Sequence, residues 1–102
     1  MDHELQLDAC LSRTTVDAAA AGLHLLDFIT GLSQGVTWTL RRGRIDFRAK
    51  RPFCTLRPNK NHITCQIPGT ETAVRLFTLY DIDTTLQERI RQAHKNASRL
   101  SV

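Results

Sequence analysis

The chain has 102 residues, 41% apolar and 24% charged, with a formal net charge of +4. That length suits one domain able to bury a core without metal or disulfide staples, and no apolar run approaches the roughly 18 residues a bilayer span needs. The three cysteines, Cys10, Cys54 and Cys65, form neither an even framework nor a CxxC pair, which argues against a stapled secreted scaffold and for small buried thiols.

The opening MDHELQLDACL is acidic where a secretory signal is basic, and no long apolar stretch with a cleavage site follows, so the expected compartment is the cytoplasm. Charge is unevenly spread. Residues 1–34 carry five acids and one base (net −4), residues 35–62 eight bases and one acid (net +7), and residues 63–102 five bases and four acids (net +1). Such asymmetry points to a polyanionic partner for the middle segment. No repeat, low-complexity run or linker breaks the chain, so residues 1–102 read as a single domain, with 1–13 a short extra helix or a flexible lead.

In chain order, Thr14 or Thr15 caps a first long helix, in which Val16, Ala19, Ala20, Leu23, Leu26 and Ile29 fall near helical spacing and which ends by Gly35. Three segments of period-two alternation follow. A two-residue turn at Arg42-Gly43 sets Leu40 opposite Ile45, Trp38 opposite Phe47 and Val36 opposite Ala49. A turn at Lys50-Arg51 sets Ala49 opposite Pro52, Phe47 opposite Cys54 and Ile45 opposite Leu56. A turn at Asn59-Lys60 sets Leu56 opposite Ile63, Cys54 opposite Cys65 and Pro52 opposite Ile67. A slip of one residue would invert each face, so the agreement of the three turns predicts a four-stranded antiparallel meander. Arg42 occupies a position that calls for φ > 0, which a type I turn with a bulge at Gly43 would relieve.

After a turn at Pro68-Gly69, AVRLFTLY is β-prone and offers a fifth strand, whose facing its uneven alternation leaves open. Asp83 caps a closing helix with Leu86, Ile90, Ala93, Ala97 and Leu100 at three- and four-residue intervals, and Ile82 is placed to staple onto it. The expected fold is therefore α+β: a four- or five-stranded antiparallel meander packed in two layers against an N-terminal and a C-terminal helix.

The run Arg44-Ile45-Asp46-Phe47, a basic turn, Pro52-Phe53-Cys54-Thr55-Leu56, Pro58, Lys60 and the alternating residues 63–67 resembles a small uncharacterised bacterial domain, found alone or at the C-terminus of predicted transport proteins. An acidic N-cap and a helix with Gln92-Ala93-His94 extend the resemblance, which covers about residues 20–97 and leaves out the first 13. It implies the fold rather than an activity, and the family brings no catalytic residues to carry over.

The same registers turn Thr37, Thr39, Arg41, Arg44, Asp46, Arg48, Lys50, Phe53, Thr55, Arg57, His62, Thr64 and Gln66 away from the core. An aromatic ring among cations on an open sheet suits single-stranded nucleic acid, with charge following phosphates and the ring stacking on a base. The expected site is Arg41, Arg44, Arg48, Lys50, Phe53 and Arg57, in a non-enzymatic module that engages a polyanion. The alternative is a protein-interaction or inhibitor module that meets an acidic protein surface. A third reading leaves the arginines as a solubilising coat, with Phe53 either shielding their stems or covered by a helix.

Enzyme motifs are absent. His3, His24, His62 and His94 match no zinc spacing, no phosphate-binding or nucleophile-elbow motif occurs, and Cys54 and His62 fall on opposite faces. Asp81 and Asp83 beside a helix start read as capping residues. No metal or cofactor is implied.

Overall fold

The computed structural model describes residues 3–68 and 73–99. Five strands, β1 Thr37–Arg41, β2 Arg44–Arg48, β3 Pro52–Pro58, β4 Ile63–Gln66 and β5 Val74–Leu76, form one antiparallel sheet in the order of the chain. Three helices, α1 His3–Leu11, α2 Val16–Thr30 and α3 Thr84–Ser98, complete the α+β domain. The core joins Ile45, Phe47, Cys54, Leu56, Ile63, Cys65 and Leu76 of the sheet to Leu7 and Leu11 of α1, Leu25 and Ile29 of α2, and Leu86 and Ile90 of α3. Helices therefore cover one face of the sheet, and alternation leaves the other to solvent.

The first hairpin forms as expected, with Leu40 opposite Ile45 and Trp38 opposite Phe47. Its turn takes the left-handed conformation at both Arg42 (φ 47°) and Gly43 (φ 78°), so no bulge relieves the arginine. Positive φ at both central residues is what matches the strand twist in a two-residue hairpin.

The second hairpin departs from the expectation at its tip. Phe47 pairs with Cys54, but Arg48 pairs with Pro52, so Phe53 is an extra residue on β3 and Ala49 does not oppose Pro52. The loop is residues 49–51, closed by the Ala49 N–H donating to the Arg51 carbonyl at 3.0 Å. A bulge of this kind swings one side chain off the regular alternation.

The third hairpin is displaced by two residues. Pro58 pairs with Ile63 and Leu56 with Cys65, because residues 59–62 form a four-residue loop in which the Asn59 N–H donates to the His62 carbonyl at 2.7 Å. Asn59 also donates from Nδ2 to Thr64 Oγ1 at 2.8 Å, the local side-chain bonding that makes asparagine a loop former. A shift of two preserves the facing, so Cys54 and Cys65 stay inward as diagonal neighbours, their free thiols 3.7 Å apart. His62 leaves the outer face for the loop, and its ring lies 5.2 Å from that of Phe77. β5 joins with Leu76 inward opposite Ile63 and Arg75 outward opposite Thr64.

Thr15 caps α2 by accepting the Ala18 N–H at 3.1 Å, and the helix ends at Thr30, before Gly35. Its buried face is Ala18, Ala21, Gly22, Leu25 and Ile29, rotated from the expected one; Val16 is 86% exposed and Leu23 is exposed. The close approach of helix to sheet selects the small residues. A Cβ on Gly22 would stand 2.6 Å from Ile63 Cδ1 and 3.2 Å from Leu11 Cδ2. Asp83 caps α3 as expected, accepting the Leu86 N–H at 2.8 Å. Asp81 accepts the N–H groups of Phe77 and Thr78 and closes a capping box on the short 3-10 turn Leu79–Asp81. Leu100 and the turn residue Gly69 lie outside the described residues.

Candidate functional site

The open face of the twisted sheet carries a solvent-open depression of about 690 Å³, lined from β1 to β4 by residues that include Thr39, Arg41, Arg44, Asp46, Arg48, Thr55, Arg57, Asn59, Thr64 and Gln66. No described helix residue contributes to this lining.

Strand pairing arranges these side chains in rows that run across the strands. Arg41 is opposite Arg44. Continuing the pairing of Ile45 with Leu56 by one residue sets Arg44 beside Arg57; Arg57 is opposite Thr64, and Thr64 opposite Arg75. Four arginines and a threonine thus form one line over all five strands. At about 4.8 Å per strand the line is about 19 Å long. The next row is Thr39, Asp46, Thr55 and Gln66.

Like charges directly opposite one another oppose sheet pairing, at a cost that reaches about 1 kcal/mol for charges 4 Å apart in water. One carboxylate offsets this. Asp46 accepts from Arg44 Nε at 3.2 Å and from Thr55 Oγ1 at 3.1 Å, both partly buried. Arg41, Arg57 and Arg75 are exposed and have no carboxylate partner among the described residues.

The expected site residues divide three ways. Arg41, Arg44 and Arg57 stand together in the row. Arg48 is outward but two residue steps beyond the Asp46 row's side of β2, and its Nη2 donates to the Lys50 carbonyl at 3.4 Å; Lys50 is exposed in the 49–51 loop, outside the depression. Phe53 is not on this face. As the bulged residue it turns into the core, is 2% exposed, and presents its ring to the His94 ring of α3 at 5.4 Å and 71°, edge to face. No ring is offered to a stacking base at this position.

Arg75 was missed because the uneven apolar pattern of residues 73–80 left β5 unfaced; the triplet Val74-Arg75-Leu76 carries the alternation that would have found it. The row itself depends on the two-residue shift of β4, which the loop-forming Asn59 signals in sequence.

Two further chemistry-bearing groups, His94 and Cys54, are engaged in the fold. His94 Nε2 lies 3.2 Å from Ser33 Oγ and 3.3 Å from Ser98 Oγ. The hydrogen bond with Cys65, and then burial, push the Cys54 thiol well above its ordinary value, which keeps it protonated and unreactive. No group of three or more metal-ligating side chains occurs among the described residues. No helix among them is long and apolar enough to cross a membrane. No protein-family model matches the chain, and no curated protein or solved structure is similar to it at a significant level.

Proposed function

We propose that the open face of the sheet is a binding surface for a polyanion and that nucleic-acid phosphate is the chemistry it fits, in a cytoplasmic module that binds rather than catalyses. The observation that carries this reading is the set of exposed arginines, Arg41, Arg57 and Arg75, that have no carboxylate partner among the described residues and are aligned with Arg44. Arginine presents a planar fork of donors suited to phosphate oxygens. The hydroxyls of Thr39 and Thr64, the latter accepting from Asn59 and so free to donate its own proton, add neutral donors of the kind that accompany phosphate contacts.

The alternative partner, an acidic protein surface, fits less well. Protein interfaces are anchored by apolar and aromatic side chains at their centre, and the centre of this face holds Thr39, Asp46, Thr55 and Gln66. The resemblance to a small bacterial domain carries no residue role and does not narrow the choice.

Fluorescence anisotropy with a labelled oligonucleotide at low salt tests the reading. Log affinity should fall linearly with log salt, and the double charge reversal Arg41→Glu with Arg57→Glu should abolish binding without lowering the melting temperature. An absence of salt-sensitive binding sinks the reading. Binding of an acidic polypeptide in preference to the oligonucleotide moves the face to a protein partner.

A further inference from the structure

Accepting the face as a nucleic-acid surface, we infer that its ligand is a single strand that crosses the sheet at right angles to the β-strands, its phosphates on Arg41, Arg44, Arg57 and Arg75 and its bases over Thr39, Asp46 and Thr55. The inference rests on the proposed function and adds to it a direction, a strand number and a fourth arginine.

The direction follows from the registers. Arg41, Arg44, Arg57, Thr64 and Arg75 are successive cross-strand neighbours, so positive charge is continuous over about 19 Å across the sheet. Along β2, by contrast, the next outward residue after Arg44 is Asp46, and Arg48 beyond it is folded onto its own hairpin carbonyl. A backbone laid parallel to the strands would pass over that carboxylate. A backbone laid across them meets a guanidinium or a hydroxyl at every step. At about 3.4 Å per nucleotide the row accommodates about five or six stacked nucleotides, and fewer of an extended strand.

Strand number follows from the second row. One line of arginines serves one sugar-phosphate backbone, and about 7 Å from it, two residues along the strands, stands the Asp46 carboxylate, held by Arg44 and Thr55. A second backbone there would meet negative charge. A carboxylate is instead an acceptor for the exocyclic amino groups of cytosine and adenine, which an unpaired strand leaves free. With Phe53 withdrawn beneath α3, hydrogen bonds and guanidinium planes replace ring stacking on this face.

Salt titrations of the intact chain with a labelled single-stranded oligonucleotide of about ten nucleotides distinguish the possibilities. Four phosphate contacts predict a log–log slope of about −2.8, falling to about −2.1 in each of Arg41→Ala, Arg57→Ala and Arg75→Ala. Arg75→Lys should keep the slope, because the charge remains, and Arg48→Ala should leave it unchanged. Melting curves of each variant verify folding, which exposed positions should not disturb. A slope lowered by Arg48→Ala and unmoved by Arg75→Ala overturns the track while the binding face stands. Tighter binding of the corresponding duplex overturns the single-strand assignment. If no oligonucleotide binds with salt dependence, the proposed function falls and this inference with it.

Discussion

Asp46 and Phe47 are chain neighbours on β2, and each belongs to a face of the sheet held in a different way. Phe47 is buried in the core cluster that joins sheet and helices, where apolar area removed from water supplies most of the stabilisation. Asp46 sits on the open face, half-buried, as the one acid among the described residues that line it beside a row of arginines. The inner face is over-determined, because each side chain touches several others and a wrong facing would expose them all. The outer face carries charge arranged against its own stability, and nothing in folding asks for that arrangement. Where the fold does not explain a pattern, binding is the reason to look for.

The largest expected effects fall on the inner face. Phe47→Ala and Phe53→Ala should each cost about 3–5 kcal/mol in urea melts. Phe53 is the sharper case, since a loss under about 1 kcal/mol would return its ring to the open face and erase the asymmetry between the two sides. Gly22→Ala comes next, at a net cost of about 1–2 kcal/mol: the added methyl meets Ile63 and Leu11, and the better helix propensity of alanine offsets only part of that overlap. A neutral result would mean that the terminal methyls of Ile63 and Leu11 yield to the added group or that α2 stands off the sheet.

The buried thiol gives a pH signature. Cys54 keeps its proton in the folded state well above its ordinary range, first through its hydrogen bond with Cys65 and then through burial, while in the unfolded chain a thiol ionises near pH 8.5. The unfolded state then binds fewer protons, so this contribution to stability is complete below about pH 8.5 and declines above it, by up to about 1.4 kcal/mol per pH unit. Denaturant melts at rising alkaline pH should show the decline, and Cys54→Val should lose that part of it. The smallest effect belongs to the open face: Arg57→Ala should change stability by no more than about 0.5 kcal/mol, with removal of a like-charge neighbour acting in the stabilising direction. A loss above 2 kcal/mol would mark Arg57 as structural.

Much of this was legible from local pattern. The first hairpin could be read from Trp38, Leu40, Ile45 and Phe47 because period-two alternation and a two-residue turn leave one register. Asp83 could be read as a cap, and the cap of α2 narrowed to Thr14 or Thr15, because capping is a contact within one helical turn. The facing of β4 survived a two-residue error in its pairing, since strand facing depends only on odd and even positions.

What chain pattern alone determined is the class of the protein: an α+β domain with a meander sheet, two main amphipathic helices, and positive charge concentrated between residues 35 and 62. Tertiary structure decided which side of α2 is buried, because the contest between Val16 with Leu23 and the small residues Ala18, Ala21 and Gly22 is settled by how closely the helix can approach Ile63. It also decided that Phe53 leaves the open face, because a bulge opposite Phe47 and Arg48 and a helix above it offer the ring a dry pocket beside His94. The arginine row is a product of strand order and register together. Arg41 and Arg75 are separated by more than thirty positions in the chain, and only hydrogen-bonded pairing through three intervening strands brings them into one line.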